Sequence, residues 1–391
     1  MCRPKQARAY KSSLDRRAAV GNMGSAVVLM VVAFLLAPCT SWHVSGLVAV
    51  LLALTWWSWV CRAQQQGAEE VGMSKEMKAS YALCTELLFR HGRTYFAAAS
   101  MMDQRSFLDT AAVYGVCRVA DDYVDTLEDG AVRRAALSGF MKKFWAAWER
   151  GYGTAEDHPI MPATIDAILR RGYSKEIFEC FFRSMMADTD VNICQTVADT
   201  VEYMEGSAAM IGDLMVPILM AECTPEQRAE ALPHARDLGR AFQMTNFIRD
   251  IGEDLGLKRQ YIPEEFCKKF GVILSEKNHD TPEFKDLMEH CFTFTDEYYQ
   301  SAQKGIAMLP GTAGLLIKVA ADAYYKIHEE IRKMDYRIHD RRARVSFAQK
   351  MGVAVKVLGV SGVVRITAME LFYRVRYSKP VVKGLKALGA Q

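Results

Sequence analysis

The chain has 391 residues, of which 50% are hydrophobic and 24% charged, a composition that excludes a peptide module, a disordered chain and a collagen-like one. Its 49 basic and 46 acidic residues leave a net charge of +3, so no nucleic-acid partner is expected. Ten cysteines with no CxxC pair and no regular spacing spell neither a zinc site nor a disulfide framework, and read as mostly buried, reduced thiols.

At the N-terminus, residues 18–61 carry no charge and hold two apolar runs, 24–37 and 44–61, separated by Pro38 and His43. A membrane-spanning helix needs roughly 20 apolar residues. The second run, 18 long and ending in Trp56, Trp57 and Trp59, meets that requirement better than the first, which has the length of a signal segment. Arg3, Lys5, Arg8, Lys11, Arg16 and Arg17 precede both runs, and Asp15 is the only acid before Glu69. A membrane anchor and a targeting peptide both suit that bias. Residues 1–66 are therefore expected to form a membrane or targeting segment, bound for a plastid (chloroplast) membrane if it is a targeting signal and otherwise for the endoplasmic reticulum or another intracellular membrane.

From residue 73 to 373 apolar side chains recur at helical spacing, and no proline occurs between Pro38 and Pro159. Breaks are expected at Gly130, Gly151 to Pro162, Cys223 to Glu226, Gly256 to Pro263 and Pro310 to Gly314. The pattern predicts one all-α domain over 73–373. A basic tail, 374–391, follows with Arg374, Arg376, Lys379, Lys383 and Lys386 and no acid, a composition suited to an anionic membrane surface or to solvated coil.

Two stripes carry the chemistry. Tyr114, Arg118, Asp121 and Asp125 stand at offsets 0, 4, 7 and 11, which at about 100° per residue fall within about 60° of one helix face. Gln243, Asn246, Asp250 and Asp254, at offsets 0, 3, 7 and 11, repeat the arrangement, with Arg249 beside them. Either stripe alone reads equally well as a solvated surface. The pair, each embedded in apolar flanks such as Val113 and Val116 or Phe242, Met244, Phe247 and Ile248, favours buried carboxylates that need a cation. Oxygen-only ligands suit Mg²⁺, with Mn²⁺ as substitute, bridging to a diphosphate that Arg118 and Arg249 can grip. Such a diphosphate becomes a leaving group, and the carbocation it leaves needs a dry cavity with aromatic walls, for which Tyr95, Tyr114, Tyr203, Phe242, Phe247 and Tyr324 are candidates.

Over nearly all of residues 73–352 the chain resembles the squalene and phytoene synthase family. The matching motifs are His91 to Tyr95, Tyr114 to Asp125, Tyr203 with Gly206 and Gly212, Gln243 to Asp254, Arg259 to Pro263, and Asp335-Tyr336 with Arg341 to Ser346. The last cluster looks closer to the phytoene branch. The resemblance implies an isoprenoid synthase helical bundle around a central cavity and head-to-head condensation of two prenyl diphosphates through a cyclopropyl intermediate. It implies metal ligands among Asp121, Asp122, Asp125, Asn246, Asp250 and Asp254, and substrate contacts from His91, Thr94, Tyr95, Tyr114, Arg118, Tyr203, Gln243, Asn246, Arg249, Arg259, Tyr261, Tyr324 and Arg342. The alanines at 97–99 and 111–112 suggest a groove deep enough for geranylgeranyl diphosphate, hence phytoene, a membrane-borne product that other carotenoid enzymes would take over, and no need for NADPH. A squalene or dehydrosqualene synthase using farnesyl diphosphate is the neighbouring expectation. Chain-elongating prenyl synthases and terpene cyclases share the DDxxD spelling. Non-catalytic relatives of the same fold act as respiratory-complex assembly factors but characteristically lose the carboxylates that this chain keeps.

Overall fold

The structure is a computed structural model that describes residues 72–125, 129–189, 192–274, 281–339 and 341–376. The expected N-terminal segment and all but the first residues of the basic tail lie outside these. Residues 69–363 make one compact unit, and residues 1–68 with 364–391 a second. Among the described residues no helix is long and apolar enough to cross a membrane.

The described residues are helical in the order α1 (Lys75–His91), α2 (Arg93–Ala99), α3 (Gln104–Asp125), α4 (Gly130–Arg150), α5 (Met161–Arg171), α6 (Lys175–Ala187), β1 (Asn192–Ile193), α7 (Val197–Met204), a π-helical turn (Glu205–Ala209) and α8 (Met210–Leu219). Then follow α9 (Pro225–Gly256), β2 (Arg259–Gln260), α10 (Glu264–Phe270), α11 (Pro282–Met308), α12 (Gly311–Lys333) and α13 (Phe347–Arg376), the last interrupted by non-helical Gly359. Helix starts follow local chemistry. Asp129 caps α4 through its carboxylate, and Thr224 with Gln227 forms a reciprocal capping box at α9 with Pro225 at its first position. Gly151 ends α4 in the left-handed region at φ 81°.

The all-α expectation holds among the described residues, with one short pairing besides: β1 and β2 run parallel, Asn192 with Arg259 and Ile193 with Gln260. Two residues per strand leave no alternating pattern for a sequence to show, and the pairing joins segments remote in sequence. The described cysteines are free thiols, and Cys84, Cys194, Cys267 and Cys291 are buried.

The two motif helices are held differently. Helix α3 packs against α1 and α5, where fully buried Asp109 takes both Arg170 and Arg171, the latter at 2.7 Å. Helix α9 packs on α8, α11 and α12 over a core that includes Met244, Ile248, Phe284 and Phe292. The π-helical turn brings α8 onto α6 and α9 so closely that a Cβ on Gly206 would lie 2.3 Å from the Cys180 carbonyl oxygen. Gly206→Ala is expected to destabilise the protein by about 1–3 kcal/mol, from overpacking against backbone, as measured by urea unfolding.

Candidate active site

A cavity of about 340 Å³ runs between the two motif helices. Tyr114 and Cys117 of α3 and Gln243 and Asn246 of α9 line one end, so the first members of both stripes share one wall-to-wall space. Along α9 the lining continues to Ala231, which at 1.5 Å per residue places the floor about 22 Å from Asn246. That floor is built from Val216, Leu219, Ala231 and Leu309. Tyr95 and Phe242 join Tyr114 on the walls, and Tyr324 stacks on Phe242 with ring centroids 4.3 Å apart. Tyr95 is 42% accessible although protein surrounds it, because the surface it presents is the cavity's, and it shares a hydrogen bond with Tyr324. Gly92, between α1 and α2, admits the Tyr114 ring, which a Cβ there would meet at 2.9 Å.

Beyond the mouth the carboxylates are crowded. Asp121 accepts from Arg118 Nη1 at 3.0 Å and Asp122 is ion-paired with the same guanidinium. Asp250 accepts from Arg249 Nε at 2.7 Å and from Arg342 Nη2 at 2.8 Å, while Arg342 also lies 3.3 Å from Glu253. Arg259 Nη1 lies 3.6 Å from Asp125. Burial, then the charge of Asp125, pushes Asp121 up to about 6, against the pull of Arg118. Burial and Asp250 push Asp254 up to about 7, against the pull of Arg259. The Asp121 side chain is 43% accessible, so solvent screening softens its shift, and Asp254 is the better reporter.

A residue that the sequence did not mark stands between the stripes. Asp188, just after α6 and 6% exposed, accepts from Tyr203 at 2.6 Å and Tyr261 at 2.9 Å, and adds its charge to both Asp121 and Asp254. No helical stripe announces it, since it follows the end of its helix. Tyr203 and Tyr261 thus sit in a buried aromatic group with Phe247, stacked 4.5 Å from Tyr261, and neither lines the cavity. Both instead meet Asp188 beside the acidic stripes, at the diphosphate end rather than along the apolar walls. His91 is exposed beside Arg118 and Asp122; burial first and Arg118 next lower its pKa. Thr94 lies on α2, and its side chain is outside the described set.

Among the described residues no three His, Cys, Asp or Glu side chains gather closely enough to hold a metal unaided. The donor set nevertheless fits Mg²⁺ shared with a diphosphate. It offers carboxylates and one amide, and Asn246 Oδ1 is buried with no hydrogen-bond partner. Asp121, Asp125, Asn246, Asp250 and Asp254 would hold the ions, phosphate oxygens completing the coordination.

The chain is similar in sequence and in fold to known proteins of one family. The squalene/phytoene synthase family profile matches residues 88–349. The chain is 28% identical over 291 residues to a 15-cis-phytoene synthase of Paracoccus, covering 71% of this chain and 89% of the relative. It is 26% identical over 269 residues to a 4,4'-diapophytoene synthase of Staphylococcus haemolyticus, covering 68% and 92%. A dehydrosqualene synthase crystal structure superposes with a TM-score of 0.64 at 23% identity, covering 73% of this chain and 97% of that one. A squalene synthase of Alicyclobacillus acidocaldarius gives 0.59 at 20%, covering 68% and 97%.

The raised pKa of Asp254 has a stability consequence. Its folded value, about 7, lies above the unfolded one, about 3.9, so its contribution is complete below about pH 4 and is lost as pH rises through about 7. The melting temperature of metal-free protein is expected to fall between about pH 5 and 8, and to fall less in Asp254→Asn. Equal slopes in the two proteins would place Asp254 in ordinary solvent.

Proposed function

Because the chain belongs to the squalene/phytoene synthase family, whose members join prenyl groups head to head, we propose that it condenses two geranylgeranyl diphosphates to phytoene. The observation that carries this reading is the long apolar cavity opening at two carboxylate stripes. The relatives' names include both phytoene and diapophytoene synthases at similar identity, so substrate length rests on the cavity itself. Ala98 and Ala99 line it beside Met102 and Met215, whereas Ala111 and Ala112 are buried in the packing of α3 and do not line it. The small side chains of Ala98 and Ala99 support room for a fourth isoprene unit, which bulk at those positions would exclude.

Bound Mg²⁺ would neutralise the diphosphate and improve it as a leaving group. The chain supplies the rest. Arg118, Arg249 and Arg342, now paired with carboxylates, are placed to turn to phosphate oxygens once those carboxylates bind metal. The first prenyl C–O bond breaks, and the allylic cation is attacked by the double bond of the second substrate, with loss of a proton, giving a cyclopropylcarbinyl diphosphate. A second ionisation rearranges that skeleton, and loss of another proton ends the reaction without a reductant. Tyr95, Tyr114 and Phe242 offer π faces to the cation, and the apolar walls keep water from quenching it. Both stripes are intact and converge on one cavity, which favours catalysis over an assembly role.

Purified protein given Mg²⁺ and geranylgeranyl diphosphate without NADPH is expected to yield phytoene; product from farnesyl diphosphate alone would overturn the assignment. Asp121→Ala and Asp250→Ala should each lower kcat by about 10²–10³. Ala99→Phe should cut turnover of the twenty-carbon substrate at least about tenfold while sparing the fifteen-carbon one, the size of effect expected when one buried hydrophobic group changes.

A further inference from the structure

We propose that Asp188 is a positioning residue that fixes Arg259 between the two acidic helix faces and thereby sets the affinity of the mouth for a magnesium-bound diphosphate, an inference that rests on the synthase reading. Asp188 touches nothing in the cavity, so its influence must pass through a neighbour. Its main-chain oxygen accepts from Arg259 Nη2 at 2.8 Å. Its carboxylate accepts from Tyr203 and from Tyr261, the second residue after Arg259. Alternate residues of an extended strand point the same way, so Arg259 and Tyr261 both face Asp188 from β2 and its continuation.

The backbone closes the clamp. Residues 259–260 pair with 192–193, and Cys194 N donates to the Gln260 carbonyl at 2.9 Å. Arg259 is only 8% exposed; burial works against its charge, and Tyr261, Asp188 and Asp125 of α3 favour it, in that order. Asp254 of α9 in turn feels its charge. Arg259 thus stands between the two stripes, 3.6 Å from Asp125 and lining a small pocket together with Asp254, and Asp188 restrains it twice, through its own carbonyl and through Tyr261. Two hydroxyls donated to one buried carboxylate form charge-assisted bonds, stronger than the neutral one the two hydroxyls make with each other.

Asp188→Asn keeps the size but leaves one tyrosine hydroxyl without its acceptor. Inorganic pyrophosphate with Mg²⁺, titrated calorimetrically into the full-length protein, is expected to bind the variant about tenfold more weakly. In an Arg259→Gln background the same change should have no further effect, because its route is already cut. A general structural role would instead multiply the two losses, which would overturn the proposal, as would wild-type affinity in Asp188→Asn. Should Asp188→Asn fail to fold, Tyr203→Phe with Tyr261→Phe serves in the same cycle, since it removes both hydroxyls and no charge. Absence of pyrophosphate binding by the wild-type protein would defeat the synthase reading itself, and so is distinguishable from failure of Asp188 alone.

Discussion

The site depends on negative charge held where little water reaches it. Asp121, Asp122 and Asp125 come from α3, Asp250 and Asp254 from α9 and Asp188 from just after α6, and Arg118, Arg249, Arg259 and Arg342 offset them only in part. Burial makes the remainder costly, which is why Asp121 and Asp254 hold protons to about 6 and 7. A region with this imbalance favours divalent cations, and cations there bring anionic ligands with them. In the proposed reaction the arginines would then be free to turn to phosphate.

The apolar half of the molecule answers a different requirement. A prenyl chain needs a long dry channel, and the fold makes one by spacing α3, α8, α9, α11 and α12 around small residues such as Ala98, Ala208, Ala235, Gly239 and Ala302. Close approach elsewhere keeps these walls fixed. Gly239 lies against the Ala208 carbonyl, where a Cβ would sit 2.3 Å away. The fully buried Asp109, with its arginines, ties α3 to α5. Depth in the channel comes from helix length, and width from side-chain volume.

Strain is placed near the mouth. Asp335 and Tyr336 both have positive φ, 53° and 61°, at the turn after α12. That turn redirects the chain so that Arg342 reaches Asp250 and Glu253. The cost of two left-handed residues is offset locally, with Asp335 paired to Lys285 and the Tyr336 hydroxyl donating to Glu289 at 2.7 Å.

Helix content, the breaks at Gly130, Gly151, Pro225 and Gly311, and the two stripes were legible in the sequence because each depends on residues within a few turns of one another. Periodicity records which side chains share a face, and so Tyr114, Gln243 and Asn246 could be assigned to one side of each helix before any folding was known. Asp188 was not legible. Its role depends on Tyr203, Tyr261 and Arg259, which reach it only after β1 and β2 pair across more than sixty residues. The sequence by itself determined the two helix faces, since i, i+4 and i+7 spacing is local geometry. Only the tertiary structure decided that they share one cavity, that Tyr203 and Tyr261 meet on Asp188, and which arginine stands between the acids, because those relations are set by packing between distant segments.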